Sequence, residues 1–236
     1  MPDKGTLYLI PTTIADETAG QVIPAHVTDN IRHIRHFLAE DIRTARRYLS
    51  SLKIFPSIED LQFSVLDKHT SESVLAEILS PLNNGNDVGV LSESGCPGVA
   101  DPGAMAVAYA HQYGIRVVPL VGPSSLLLAL MASGLNGQQF AFHGYLPVDT
   151  VECRKALKAL ELESRQKNQT QVFIETPYRN NAVFSNLLKS LHDETRLCVA
   201  IDVTGKEESI QTMPVKLWKK VSKSWPKLPA VFLFLA

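Results

Sequence analysis

Three loops carry residue types whose spacing suits ligand chemistry. The first is Pro11-Thr12-Thr13-Ile14-Ala15-Asp16. The second, Leu91 to Gly103, packs three glycines and two prolines into Gly95–Gly103. Glycine permits positive φ and close backbone approach, whereas proline fixes φ and removes a donor. Together they predict a rigid wall of backbone amides and carbonyls that can bind a polar ligand. The same residues also read as a strand-to-helix turn, with Asp101 capping the next helix and Pro102 at its first position. The third loop, Pro119 to Ser125, ends on Ser124 and Ser125 at the start of an apolar helix. Free N–H groups there suit a carboxylate or phosphate, and serine is equally an ordinary cap.

The elements around these loops follow from periodicity. Strand-length apolar runs occur at Leu7–Ile10, His36–Ala39, Phe63–Leu66, Val88–Leu91 and Ile115–Leu120. Helical spacing fills Glu72–Leu82 and Ala104–Tyr113. Strands alternating with helices predict a parallel sheet covered on both faces, with ligands beyond the carboxyl ends of the strands. One segment is ambiguous: Ile31, Ile34, Leu38, Ile42, Ala45 and Leu49 keep a helical period through the second strand.

After a helix over 124–133, strands are predicted at Gln139–Tyr145, Val172–Glu175, Leu197–Ile201, Ser209–Met213 and Val231–Leu235. Helices near 151–163 and 178–192 lie among them. The close spacing of 197–201 and 209–213 predicts a hairpin, hence a mixed sheet. The chain therefore reads as α/β with two domains, 1–121 and 122–236.

Composition excludes several classes. The 236 residues are 45% hydrophobic and 20% charged, far from a disordered chain. The 23 basic and 24 acidic side chains leave a net charge of −1, which argues against a polybasic binder of nucleic acid. That total hides an imbalance. Residues 1–121 carry 9 Lys/Arg and 14 Asp/Glu, a net of −5, and 122–236 carry 14 and 10, a net of +4. Part of the basic excess is Lys216, Lys219, Lys220, Lys223 and Lys227, interleaved with Trp218 and Trp225. The run reads either as a solvated face with inward tryptophans or as a surface for an anionic partner.

The cysteines, Cys96, Cys153 and Cys198, form no metal or disulfide pattern. His33 and His36 sit among arginines and read as a solvated face, so no metal is expected. No apolar run is long enough for a signal peptide or membrane span, and a soluble cytoplasmic protein is expected. No G-x-G-x-x-G, P-loop or G-x-S-x-G motif occurs.

The segments G-T-L-Y-L-I-P-T, L-A-E-D-I-R at 38–43, L-S-E-S-G-C-P-G-V-A-D-P-G at 91–103, G-I-R-V-V-P-L-V-G-P-S-S at 114–125 and F-A-F-H-G-Y-L-P at 140–147 occur in one order. Together they resemble the tetrapyrrole (corrin/porphyrin) methylase superfamily. Within it, the chain is most similar to the branch that methylates a cytidine ribose 2′-hydroxyl in small-subunit (16S) ribosomal RNA. The similarity spans nearly the whole chain.

The resemblance implies an S-adenosylmethionine-dependent methyltransferase, usually a homodimer, with the cofactor in a cleft between two α/β domains. It implies cofactor contacts from Pro11, Thr12, Gly95, Cys96, Pro97, Val99, Pro123, Ser124 and Ser125, with Glu175 and Pro229 from the second domain. The implied partner is ribosomal RNA or the small subunit, with no DNA and no membrane. A ribose hydroxyl is a poor nucleophile without a proton acceptor. Glu40 and Asp41, at a strand end, are the candidate bases, and Arg43 the candidate phosphate ligand. The same two carboxylates also read as a helix cap with a nearby ion pair.

The chain departs from the family pattern in three places. Thr13 and Ala15-Asp16 alter P-T-P-I-G-N, Ser92-Glu93-Ser94-Gly95-Cys96-Pro97 alters S-D-A-G-T-P, and Asp202-Val203-Thr204-Gly205 replaces E-L-T-K. Two alternatives stay open: a methyltransferase for a tetrapyrrole-type small molecule, and a protein that binds the cofactor without catalysis.

Overall fold

The computed structural model describes residues 4–221 and 223–236. They divide into two compact units, Met1–Ser124 and Ser125–Ala236.

The first unit follows the β/α alternation: β1 (Thr6–Ile10), α1 (Ala19–Val22), α2 (Ala25–Ile31), β2 (His36–Ala39), α3 (Ile42–Ser51), β3 (Gln62–Val65), α4 (Glu72–Ile78), α5 (Ser80–Asn83), β4 (Val88–Leu91), α6 (Ala104–Gln112) and β5 (Arg116–Pro119). The strands form a parallel sheet in the order β3-β2-β4-β1-β5. Side chains alternate across the pleat, so each strand feeds two cores. Ile10, Phe37, Ala39 and Leu91 pack with Val27, Ile31, Ala45 and Leu49 of α2 and α3. Leu7, Leu38, Val88 and Val90 pack with Leu75, Leu79, Leu82, Ala106 and Ala110 of α4–α6. Both faces are covered, as parallel sheets require.

The ambiguous segment splits into helix, strand and helix. Ile31 ends α2, Leu38 lies in β2, and Ala45 and Leu49 lie in α3. The helical period is a coincidence of burial on both faces: Ile31, Ala45 and Leu49 bury on the α2–α3 side of the sheet, whereas Leu38 packs on the other side with Leu75, Leu79 and Leu82. The helix expected over Glu72–Leu82 is two helices, with Pro81 in the first turn of α5. Proline lacks the N–H that a continuous helix would use there.

The second unit contains α7 (Ser125–Ser133), β6 (Phe140–Tyr145), α8 (Thr150–Lys167), β7 (Thr170–Glu175), α9 (Asn180–Ser190), β8 (Arg196–Ile201), β9 (Ser209–Pro214), α10 (Val215–Trp218) and β10 (Ala230–Leu235). Its sheet, β6-β7-β10-β8-β9, is mixed: β6 runs parallel to β7 and the other pairs are antiparallel. Phe173, Val199, Phe232 and Phe234 pack toward α8–α10. Cys198, Ala200, Val231 and Leu233 pack toward α7. The expected hairpin is β8–β9.

Candidate functional site

In the first unit the strand order reverses between β4 and β1. The chain leaves β1 toward β2 and leaves β4 toward β5. Open α/β sheets bind ligands beyond the carboxyl ends of strands at such a point, and the three chemistry-bearing loops all start there.

The loops are joined by direct contacts. The Thr12 amide donates to the Gly95 carbonyl at 2.9 Å. The Cys96 thiol points at the Pro123 carbonyl, 3.4 Å away. Gly122 lies so close to Pro11 that a Cβ there would fall 2.1 Å from the proline Cβ. Pro11, Thr12, Gly95, Cys96 and Pro123 thus form one junction. Pro97 is buried beside it in sequence, and Val99 is exposed. The amides of Cys96 and Gly98 donate to nothing among the described residues. Burial pushes the Cys96 thiol above its ordinary pKa, which disfavours a nucleophilic thiolate.

Asp101 does not cap α6. Gly103 holds that position with φ 143°, and a Cβ on it would lie 3.0 Å from the Gly98 amide nitrogen. This folds the loop back on itself and turns Asp101 inward. Burial pushes its pKa up to about 6, while the Ser92 hydroxyl beside it donates to the Ser94 carbonyl at 3.1 Å. Pro102 likewise precedes the helix rather than opening it.

Two carboxylate–amide bonds lie at the ends of β4 and β2. The Glu93 carboxylate accepts from the Asp41 amide at 3.1 Å. The Asp41 carboxylate accepts from the Thr44 amide at 2.8 Å and caps α3. That bond is the chief reason its pKa lies below the usual carboxylate range. Glu93 is shifted upward, first by desolvation in the packed loop, then by the charges of Asp41 and Glu40. The Glu40 and Arg43 side chains are exposed, with no hydrogen bond or ion pair among the described residues.

Beside this corner is a cavity of about 780 Å³, lined by the loop after β1, one face of α3 and the Ser92–Glu93 turn. Thr44, Arg47, Tyr48 and Ser51 present that face. The Tyr48 hydroxyl donates to the Pro11 carbonyl at 2.8 Å and ties α3 to the loop. Thr12 is 5% exposed, and its Oγ1 has no hydrogen-bond partner among the described residues.

No family model matches the chain. It is similar to "Ribosomal RNA small subunit methyltransferase I" of Vibrio cholerae serotype O1, 30% identical over 209 residues, covering 89% of the chain and 68% of the relative. The protein of that name from Escherichia coli O157:H7 is 29% identical, covering 90% of the chain and 70% of the relative. The one from Bacillus subtilis strain 168 is 30% identical, covering 87% and 66%. The chain belongs to the ribosomal RNA small subunit methyltransferase I family. The chain thus spans about two thirds of the length of these relatives. The crystal structure of uroporphyrin-III-C-methyltransferase from Thermus thermophilus has the same fold, with a TM-score of 0.55 at 17% identity, covering 98% of this chain and 92% of that one.

In the second unit of this family member, Glu175 ends β7 and pairs in register with Ala230, directly after the exposed Pro229. The sheet therefore brings Glu175 and Pro229 together. Glu175 is buried, accepts from the Thr176 amide at 2.7 Å, and lies 3.3 Å from the Arg179 guanidinium. Ser125 is the first residue of α7, next in sequence to Ser124. The segment replacing E-L-T-K is a tight turn: the Gly205 amide donates to the Asp202 carbonyl, and a Cβ at Gly205 would fall 2.1 Å from the Asp202 carboxylate. Lysine cannot fit there without moving that carboxylate.

The tryptophans of the basic run do not face a nucleic acid. Trp218 and Trp225 are buried, each edge-on to Phe184. Among the lysines, Lys216 pairs with Glu194 and Lys219 with Asp193. His33 contacts Asp87 rather than water alone. Among the described residues no group of three or more His, Cys, Asp or Glu is placed to hold a metal, and no helix is long and apolar enough to cross a membrane.

Sequence reasoning missed Glu93, Thr44, Arg47, Tyr48 and Ser51. Their signal was present. Thr44, Arg47, Tyr48 and Ser51 stand three, four and seven apart, one face of a helix that begins at the capping Asp41.

Proposed function

We propose that this protein transfers a methyl group from S-adenosylmethionine to the ribose 2′-hydroxyl of a cytidine in small-subunit ribosomal RNA. The observation that carries the reading is the junction of Pro11, Thr12, Gly95, Cys96 and Pro123 at the reversal of strand order, in a chain of this family.

The residues fit the cofactor. Undonated amides at Cys96 and Gly98, in a loop locked by Gly103, suit the carboxylate, hydroxyl and adenine acceptors of S-adenosylmethionine. We assign Pro11, Thr12, Gly95, Cys96, Pro97, Val99, Pro123 and Ser124 to this role, with Ser125, Glu175 and Pro229 from the second unit. When bound, the cofactor supplies an electrophilic methyl group on a sulfonium. The protein's task is then to hold the acceptor hydroxyl in line and take its proton. Asp41 is committed to capping α3, so the proton acceptor is assigned to the flanking carboxylates, Glu40 and Glu93. Arg43, exposed beside them, can meet a backbone phosphate.

The test is incorporation of labelled methyl from S-adenosylmethionine into isolated small ribosomal subunits that lack the modification. Label in a single cytidine, resistant to alkaline cleavage on its 3′ side, is expected. No incorporation by protein that still binds S-adenosylhomocysteine overturns the RNA reading.

A further inference from the structure

We propose that the cavity beside α3 receives the acceptor nucleotide, with Arg47 on its phosphate and Glu93 and Thr12 on its sugar. The inference rests on the RNA-methylation reading and assigns that reaction a second, separate subsite.

The cavity measures about 780 Å³, within the range of pockets that enclose ligands of nucleotide size. Its wall is rich in hydroxyls, including Thr12, Thr44 and Ser51, with Ile14 among its apolar residues. Such a wall suits a sugar with several hydroxyls and a flat base. Arg47 is the one cation on that wall among the described residues, and it has no carboxylate partner there. Asp16, Glu17 and Glu93 are the wall's other charged groups. A phosphate therefore has a single favourable contact, and a guanidinium makes it bidentate.

Thr12 supplies the independent sign of a ligand. A hydroxyl buried this deeply without a partner is costly in a finished protein interior. An arriving sugar hydroxyl satisfies it. Glu93, held in place by the Asp41 amide, presents a carboxylate to the same space.

The cavity is distinct from the proposed cofactor junction. Of the junction residues only Thr12 lines it; Gly95, Cys96 and Pro123 do not. Donor and acceptor must meet at one point for an in-line transfer, and Thr12 is where the two residue sets overlap. Thr13 and Asp16, two of the residues that depart from the family's first-loop pattern, also line the cavity.

The experiment is calorimetric titration of the full chain with cytidine 5′-monophosphate and with cytidine. The unaltered protein is expected to bind the monophosphate more tightly. Arg47→Ala is expected to weaken monophosphate binding about ten-fold or more, as loss of a charge-assisted hydrogen bond does, and to erase the preference over cytidine. S-adenosylhomocysteine binding reports that the variant is folded. Retention of the phosphate preference in Arg47→Ala overturns the proposal, as does failure of the unaltered protein to bind either probe at millimolar concentration. Methyl transfer to small subunits separates the two ideas. If the unaltered protein transfers methyl and Arg47→Ala and Glu93→Gln do so at its rate, the cavity assignment fails and the RNA reading stands. If the probes bind as expected but no RNA is methylated, the RNA reading fails and the nucleotide site stands.

Discussion

The Asp41 amide donates to the Glu93 carboxylate across the ends of β2 and β4, at 3.1 Å. One further bond extends the link: the Thr44 amide donates to the Asp41 carboxylate at 2.8 Å. Two carboxylates are thus fixed by backbone donors rather than by cations: Glu93 ties the loop after β4 to the end of β2, and Asp41 caps α3.

Asp41 is therefore expected to matter first for α3. Asp41→Ala removes the side-chain cap and should lower the melting temperature at neutral pH, whereas Asp41→Asn should restore most of it. The sign with pH follows from the lowered pKa. The capping contribution is present above the ordinary Asp range and is lost as pH falls through the depressed value. Thermal melts between pH 7 and 3 check this; equal melting temperatures for Asp41→Ala and the unaltered chain at pH 7 would refute the capping role.

Asp101 has the opposite sign. Its folded pKa, about 6, lies above the ordinary value of 3.8 because burial disfavours the charge. Its stabilising share is complete below the ordinary pKa and is lost as pH rises through about 6. Replacing it with Asn should flatten that slope. Relative to the unaltered chain, Asp101→Asn is expected to gain about 1 to 2 kcal/mol between pH 4 and 7, allowing for solvent on the open side of the carboxylate. Urea unfolding at both pH values measures the difference, and an unchanged pH slope in the variant would count against the buried placement.

In the second unit, the Trp218 indole donates to the Leu197 carbonyl at 2.8 Å and packs against Phe184 and Trp225. Trp218→Ala should cost about 3 to 5 kcal/mol and Trp218→Phe markedly less. With Trp225 the one tryptophan left, its fluorescence during urea unfolding reports this core directly. An exposed, nucleic-acid-facing Trp218 would instead leave stability almost unchanged.

The sheets were legible because their strands are dense in Val, Ile, Leu and Phe and end at turn residues. Even the mixed pairing of the second sheet showed, in the short gap between β8 and β9. Where a sheet buries both faces, period alone fails: Ile31 and Leu49 on one face and Leu38 on the other mimic one helix across three elements. Asp101 was misread because the residue before α6 is set by the Gly103–Gly98 contact, which spacing does not reveal. The cofactor-type loops stood out by composition. The cavity did not, because it is assembled from Thr12, α3 and Glu93, segments far apart in sequence and individually ordinary. Arg47 and Glu93 gain meaning only from their shared wall.

Gly122 offers the sharpest test of the junction. The turn after β5 passes so near Pro11 that a single methyl group has no room, so Gly122→Ala must displace either the end of β1 or the turn itself. Overpacking of this kind costs about 1 to 3 kcal/mol. Because Thr12 and Gly95 are bonded to each other next to Pro11, the displacement should pass to the amides proposed to hold the cofactor. S-adenosylhomocysteine affinity is expected to fall more than stability alone accounts for. Gly137→Ala, where an added Cβ meets nothing within 4 Å, is the matched control and should leave both unchanged. If Gly122→Ala binds S-adenosylhomocysteine as tightly as the unaltered chain at a temperature where both are folded, the contact between Pro11 and Gly122 does not shape the cofactor site, and the assignment of Pro11 and Pro123 to that site falls with it.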